Sequence, residues 1–210
     1  MNSGILAMWE RIPANIRGAC FVSCGAFLLI IMASLVKHLG QNLPAFEVLF
    51  VRFLAGLIVI MPLVWRVGLK TLRTSKIHLH ATRGLVGFIG NMLFFFALIH
   101  IPIADTVSIQ FSRPLFMIVI AAVFLSENVS FLRKIITVIG FGGILLITQP
   151  FAEGVDPWAL SAVGGAFFGT LVVQTVKLLT RTEQTVTIMF YFALFTTLFA
   201  LIPAVMTWQS

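Results

Sequence analysis

The sequence GAFLLIIMASLVKHL, at residues 25–39, determines the fold class of this chain. Its central part, FLLIIMASLV at residues 27–36, is apolar apart from one serine. A transmembrane β-barrel strand would instead alternate apolar and polar residues. The unbroken apolar run therefore predicts a helix that spans a membrane.

The composition of the whole chain extends this prediction. Of the 210 residues, 60% are apolar and 10% are charged, whereas a soluble domain has roughly 45–50% apolar and about 25% charged residues. A soluble domain is therefore excluded. A spanning helix needs about 20 residues, and the sequence contains seven apolar segments of about that length. We predict an all-α, polytopic transmembrane bundle with spans at 17–36, 44–65, 84–101, 104–125, 134–150, 157–176 and 185–207.

The distribution of positive charge predicts the orientation. With the N-terminus in the cytoplasm, eleven of the fourteen Lys and Arg residues fall on the cytoplasmic side and one falls outside. This bias follows the positive-inside rule. The net charge of +7 is then a topology signal, and a nucleic-acid partner is excluded. We expect a multi-pass protein of the inner or plasma membrane, with residues 1–16 as a cytoplasmic segment.

The opening stretch recurs later in the chain as GAFFGTLVVQTVKLL, at residues 165–179. The shift that carries Gly25 onto Gly165, called the repeat offset below, also carries the first span onto the sixth. The copy lies five spans later, and because five is an odd number, the two copies are predicted to cross in opposite directions. Inverted repeats are typical of secondary transporters, whose substrate site lies at the repeat interface. We predict a first five-helix repeat at 17–150 and the first two helices of a second repeat at 157–207.

Two complete repeats would need about 300 residues and ten spans at this repeat length, whereas the chain has 210 residues. The arithmetic predicts a chain that is truncated at its C-terminus. An inactive remnant, or a partial subunit that assembles with another chain, is therefore the alternative to an active transporter.

Several stretches resemble the EamA family of the drug/metabolite transporter superfamily. The Arg-Phe pair in LFVRFLAGL resembles the family's second helix. NMLFFFAL and the long run that follows it resemble the end of the third helix and the fourth helix, with a proline in mid-helix. A Gly-rich segment resembles the fifth helix. The stretches lie at residues 49–57, 91–98, 101–130 and 133–147.

This resemblance covers residues 17–207 and implies ten helices in two inverted five-helix units around a central cavity. It also implies transport of metabolites such as S-adenosylmethionine, riboflavin or amino acids. The chain departs from the pattern of the family in two respects. The family's Leu-Gly-Glu is Leu125-Ser126-Glu127 here, and helices eight to ten have no counterpart in the chain.

Four polar residues fall at membrane depth and are the predicted substrate-binding residues, because ionisable and polar groups are costly there. From the rise per residue, Arg52, Arg113 and Asn91 lie about 12, 13 and 15 Å below the outer border. Gln110 shares a helix face with Arg113, and Pro114 is expected to bend that helix. We predict that Arg113, with Arg52, holds an anionic or zwitterionic group of the substrate. Alternatively, Arg113 binds carbonyls of a neighbouring helix or snorkels outward, and the resemblance makes Arg52 less central.

Other ionisable residues have structural explanations. Glu47 and Asp105 fall in first helical turns, where the helix dipole favours negative charge, with proton coupling as the alternative. Glu127 is expected in an ion pair near the cytoplasmic border. His78 and His80 are assigned to a cytoplasmic loop and lack the further ligands that a zinc site needs. No metal and no cofactor are expected.

The predicted function is a secondary transporter that moves a small organic metabolite by alternating access. The chain lacks the H-E-x-x-H and G-x-S-x-G motifs, so an enzyme is not expected. A retinal protein is disfavoured because the last span has no lysine, and a receptor because the N-terminus is cytoplasmic. The expected partners are a small-molecule substrate, the lipid bilayer and a second copy of the chain in a homodimer.

Overall fold

The computed structural model describes residues 13–124, 130–148 and 156–208. The regular structure in these ranges is entirely helical, which confirms the all-α class. The α-helices are, in chain order, α1 Ala14–Leu39, α2 Ala45–Val67, α3 Ile77–His100, α4 Ile103–Gln110, α5 Arg113–Phe124, α6 Phe131–Thr148, α7 Pro157–Leu179 and α8 Thr185–Thr207. A short 3-10 helix, Leu69–Leu72, follows α2.

Six helical segments of the described ranges are long and apolar enough to cross a membrane. They match the predicted spans one to four, six and seven. The predicted fifth span, 134–150, overlaps α6, and its last two residues lie outside the described residues. A seventh crossing therefore stays a prediction. The six segments are Asn15–Leu39, Ala45–Val67, Ile77–His100, Ile103–Ile120, Pro157–Leu179 and Thr185–Thr207.

The third span begins earlier than the sequence predicts. Helix α3 begins at Ile77, about two turns before the predicted start at residue 84. His78 and His80 are therefore helical, and their assignment to a loop was wrong. The prediction counted Arg83 as a charge of the cytoplasmic side, but its side chain is buried inside the bundle. The physical reason is periodicity, because His80, Arg83 and the glycines that follow share one buried helix face.

The predicted fourth span is interrupted. Between α4 and α5, the N–H groups of Phe111 and Ser112 donate to carbonyls three residues back, at 3.1 and 3.0 Å. Pro114 lacks an N–H donor and its ring clashes with the carbonyl four residues earlier, so a regular helix does not continue here. The expected bend is thus a break directly before Arg113. Glu127 lies outside the described residues.

Helix α3 packs against both α7 and α8. The Ser161 hydroxyl on α7 donates to the Leu93 carbonyl at 2.8 Å, and the His100 ring stacks on Trp158 with centroids 3.5 Å apart. Residue numbers rise along α3 while they fall along α7, so these helices are antiparallel.

Helix α3 has a different relative direction with α8 than with α7. The guanidinium of Arg83 donates to the Ile188 carbonyl at 3.0 Å, and Gly87, one turn further along α3, contacts the ring of Phe192, one turn further along α8. Helices α3 and α8 are therefore parallel.

Helices α1 and α2 pack on α3 near its C-terminal end. The ammonium of Lys37, near the end of α1, donates to the Ile101 carbonyl at 2.6 Å. The ring of Phe46, at the start of α2, meets the Phe96 ring edge-on at 5.5 Å. Further along α2, Arg52 bonds to Asn91, which lies earlier on α3, so α2 is antiparallel to α3. The C-terminal ends of α1 and α3 lie together, and because both helices have spanning length, they run in the same direction. It follows that α1 and α7 run in opposite directions, as do α2 and α8.

The same two helix pairs have matching boundaries. Helices α1 and α7 end at Leu39 and Leu179, and the next helices begin at Ala45 and Thr185. Both α2 and α8 have 23 residues. In each turn, the residues three and four positions after the last helical residue donate to its carbonyl, at 2.8–3.0 Å. The repeat offset therefore relates the helix ends and the turns between them.

Glycines allow α3 to approach its neighbours closely. A Cβ atom on Gly165 of α7 would lie 3.1 Å from the Gly90 carbonyl oxygen and 3.1 Å from the Phe94 nitrogen. Atoms of Phe195 and Phe192 occupy the space beside Gly84 and Gly87. Such small-residue contacts favour helix association in lipid, where apolar side chains gain little by leaving the hydrocarbon.

Candidate functional site

A cleft of about 340 Å³ lies between α2, α3 and α8. This volume is within the range of small-molecule sites, which are mostly apolar with a few placed polar groups. The cleft has that composition. Its lining residues are Arg52, Phe53, Gly56, Val59, Ile60, Arg83, Asn91, Met189, Phe192, Ala193 and Thr196.

Arg52 is held in the cleft by an amide and two aromatic rings. Its Nη1 donates to Asn91 Oδ1 at 2.7 Å, and Asn91 Nδ2 donates to the Gly87 carbonyl at 2.8 Å. The second bond turns the amide oxygen of Asn91 toward the arginine. The Arg52 guanidinium carbon lies 5.4 Å from the ring centre of Phe53 and 5.2 Å from that of Phe95. These distances allow cation–π attraction.

Arg83 is the second cation of the cleft, and sequence reasoning missed it. Its side chain is 7% exposed and its Nη1 donates to the Ile188 carbonyl at 3.0 Å. The guanidinium carbon lies 4.2 Å from the centre of the Phe192 ring. Its Nε is buried without a hydrogen-bond partner among the described residues. The spacing of Arg83, Gly87 and Asn91 on one face of α3 is the signal that would have found it.

The charge of the cleft is one-sided. Two guanidinium groups line it, and none of the described lining residues is Asp or Glu. A buried charge is costly unless it is paired and hydrogen-bonded. Ionisable residues kept at membrane depth are functional candidates by default, and a positive cleft can attract a negative group.

Gln110, at the end of α4, and Arg113, at the start of α5, form a separate pair that packs against α7. Gln110 Nε2 donates to the Ala162 carbonyl at 3.1 Å, and Arg113 Nε donates to Gln110 Oε1 at 2.9 Å. A Cβ atom on Gly169 would lie 3.1 Å from the Arg113 guanidinium carbon. The Thr170 hydroxyl donates to the Ala166 carbonyl at 2.9 Å and also lies 3.3 Å from the Arg113 carbonyl oxygen. The pair therefore fastens the break between α4 and α5 to α7.

The structure thus brings the four predicted binding residues together two by two. Arg52 and Asn91 line the cleft, whereas Gln110 and Arg113 lie against α7 and do not line it. The Arg113 side chain is exposed, and its Nε donates to the Gln110 side chain three residues earlier. The alternatives that Arg113 binds carbonyls of a neighbouring helix or snorkels outward therefore stay predictions as well. The roles of all four residues stay predictions.

Other ionisable groups lie apart from the cleft. Glu47 is buried in the first turn of α2, and Asp105 lies in the first turn of α4. His80 is fully buried and its ring centre is 4.8 Å from that of Tyr191. In the part of the chain that the structure describes, no three or more His, Cys, Asp or Glu side chains are grouped as metal ligands would be.

The chain is similar to several transporters. It is 34% identical over 195 residues to an S-adenosylmethionine uptake transporter of Rickettsia bellii, covering 90% of this chain and 67% of that protein. It is 29% identical to a riboflavin transporter of Brucella anthropi, covering 80% and 60%. It is 28% identical to a pseudopaline exporter of Pseudomonas aeruginosa, covering 88% and 65%. No solved structure matches the chain.

The chain spans about two thirds of the length of these curated relatives. The model of the EamA-like transporter family matches residues 16–149, which is more than half of the chain. Together with six helices of spanning length, this match identifies a multi-pass membrane protein, and the chain belongs to the EamA-like transporter family.

Proposed function

We propose that the protein is a secondary transporter that moves a small organic metabolite across the membrane by alternating access. The family assignment supports this proposal, as do relatives named for the uptake or export of small metabolites. The observation that carries it is the cleft between α2, α3 and α8, which contains the buried guanidinium of Arg83 and the half-buried one of Arg52 among mostly apolar walls.

The proposal includes an inverted repeat, with units at residues 17–150 and 157–207. The opposite directions of α1 and α7, and of α2 and α8, support it, and so do the matching turns. The cleft adds a further argument. Under the repeat offset, the lining positions 52, 53 and 56 of α2 correspond to the lining positions 192, 193 and 196 of α8. A site lined by equivalent positions of both units is expected at a repeat interface.

Arg52 and Asn91 are proposed to bind the substrate directly, because both line the cleft. For Gln110 and Arg113 the proposed role is different. They connect the broken fourth span with α7, across the boundary between the two proposed units. Alternating access requires the units to move against each other, so this pair is expected to affect the rate of that movement.

The protein is proposed to lie in an inner or plasma membrane with its N-terminus on the cytoplasmic side. Seven crossings are proposed, with α6 as the fifth. The positive-inside bias of the sequence supports this orientation. In it, the start of α3 with Lys76 lies at the cytoplasmic side, and the turn after α1 lies outside.

Uptake of labelled metabolites by proteoliposomes tests the proposed function. S-adenosylmethionine and riboflavin are the first substrates to try, because relatives are named for them. We expect saturable uptake that Asn91→Ala reduces and that Arg181→Ala, at an exposed residue outside the cleft, leaves unchanged. The screen includes the 210-residue chain and a version extended to ten spans. Activity in the extended version alone would favour the alternative of an inactive remnant.

A further inference from the structure

We propose that Arg83 binds an acid group of the substrate, so that the cleft takes an organic carboxylate or a zwitterion with an apolar body. The inference rests on the proposed function, since it treats the cleft as the substrate site. It adds the residue that holds the charge and the chemical class that this residue selects.

The first argument is the unsatisfied state of the Arg83 guanidinium. The group has five N–H donors, and one of them, on Nη1, has the Ile188 carbonyl as acceptor. The side chain is 7% exposed, so water reaches it poorly. Nε is buried and has no acceptor within the described ranges. A carboxylate accepts two parallel N–H bonds from a guanidinium, which is the kind of acceptor that this group lacks.

The second argument is the contrast with Arg52. That guanidinium already has the Asn91 amide oxygen at 2.7 Å and two aromatic rings nearby. Arg83 also has a carbonyl acceptor and an aromatic ring, at 3.0 and 4.2 Å. Its Nε, however, is buried without an acceptor among the described residues, and no donor of Arg52 is in that state there. Arg83 and Asn91 are two helical turns apart on α3, about 12 Å along the helix axis. The two cations thus occupy different parts of the cleft, and an acid group bound at Arg83 leaves the space toward Arg52 for the rest of the substrate.

The third argument is the apolar wall beside Arg83. The Phe192 ring lies 4.2 Å from the guanidinium carbon, and Phe53, Ile60 and Met189 also line the cleft. An acid group on Arg83 would therefore continue into a body that contacts aromatic and aliphatic side chains. A small cation would meet positive charge and apolar surface without a carboxylate among the described lining residues.

A purely structural Arg83 makes a different prediction. The bond to Ile188 joins α3 to α8, and losing it would lower the stability of the bundle. It would not change the ratio between the affinities for an anion and for a neutral molecule of the same shape. The charge preference of ligand binding therefore separates the two roles.

The test uses three probes with one skeleton: 3-phenylpropionate, 3-phenylpropionamide and 3-phenylpropylamine. Their binding to the purified full chain in lipid nanodiscs is measured by isothermal titration calorimetry. We expect the carboxylate to bind about 10- to 100-fold more tightly than the amide, as hydrogen bonds to charged groups allow. The amine is expected to bind most weakly.

Variants then assign the preference to Arg83. Arg83→Gln should reduce the affinity for the carboxylate to that for the amide, and Arg83→Lys should keep part of the preference. The matched control is Arg181→Gln, at an exposed cation outside the cleft, which should leave all three affinities unchanged. Unchanged carboxylate preference in Arg83→Gln would overturn the proposal.

If the Arg83 variants do not fold, the affinities of the wild-type protein for the three probes still test the proposal. Equal affinities for carboxylate and amide, or no saturable binding of the carboxylate, would overturn the proposal. Failure of the role of Arg83 and failure of the proposed function give different results. Saturable transport of a metabolite without an acid group would keep the function and overturn the role of Arg83. Tight carboxylate binding without uptake of any metabolite would support Arg83 and contradict transport.

Discussion

The guanidinium of Arg113 lies directly on Gly169, so closely that a Cβ atom on this glycine would be 3.1 Å from the guanidinium carbon. Glycine at this position gives the arginine room to reach Gln110 Oε1, at 2.9 Å. The contact joins the start of α5 to the middle of α7 and therefore links the two proposed repeat units at the break in the fourth span.

Enlarging Gly169 should displace Arg113. We expect Gly169→Leu to break the bond to Gln110 and to lower the free energy of unfolding by about 1–3 kcal/mol, as overpacking does. Uptake should fall as well, because the contact crosses between the proposed units. Gly169→Ala should have a smaller effect, since the guanidinium can shift by a few tenths of an ångström.

The control for this prediction is Gly142→Leu, because a Cβ atom at Gly142 would meet no atom of the described residues within 4 Å, apart from the backbone of its own helix. Thermal unfolding in detergent and uptake in proteoliposomes are compared for the variants. If Gly169→Leu is as stable and as active as Gly142→Leu, the contact between Arg113 and Gly169 has no role in the folded transporter.

The hydrogen bond between Arg52 and Asn91 should be visible in a double-mutant cycle. Asn91→Leu leaves a charged donor without its amide acceptor, which costs about 1–3 kcal/mol. Arg52→Met leaves the amide without its donor and should also lower stability. The double variant Arg52→Met/Asn91→Leu removes both partners and should lose less than the sum of the single variants. Melting temperatures of the four proteins give the coupling, and strictly additive losses would speak against the bond.

Much of the fold follows from the sequence because apolar length and charge determine where a helix enters and leaves the membrane. The predicted start of the seventh span, residue 185, is the first residue of α8, and its predicted end, residue 207, is the last residue of that helix. The repeat offset, read from the match of residues 25–39 with residues 165–179, also anticipates the matching turns after α1 and α7. These features depend on local composition and periodicity, which a sequence shows directly.

The site was harder to predict because it depends on which helix faces meet. In the sequence, Arg83 follows several Lys and Arg residues of a predicted loop, so it was counted among the charges that determine the membrane orientation. Its burial becomes clear only from the structure, in which α3 begins at Ile77. Likewise, the similar depths predicted for Arg52, Asn91 and Arg113 suggested one site. The pairing of α2 with α3, and of α5 with α7, separates Arg113 from the other two residues.

The inverted repeat predicts that two matching turns lie on opposite sides of the membrane. Asn42 and Thr182 are equivalent positions under the repeat offset, and both are exposed. With Cys20 and Cys24 replaced by alanine, we expect Asn42→Cys to react with an impermeant maleimide added outside intact cells. Thr182→Cys should react only after the membrane is opened. Labelling of both positions from the same side would contradict the repeat.

Alternating access is tested most directly by counterflow in proteoliposomes that contain the protein. The vesicles are loaded with an unlabelled metabolite that the uptake screen identifies, and a trace of the labelled metabolite is added outside. A transporter whose cleft faces one side at a time exchanges the two, so we predict a transient accumulation of label above equilibrium, which Asn91→Ala reduces. Entry of label that only approaches equilibrium, at a rate independent of the internal metabolite, would contradict alternating access through this cleft.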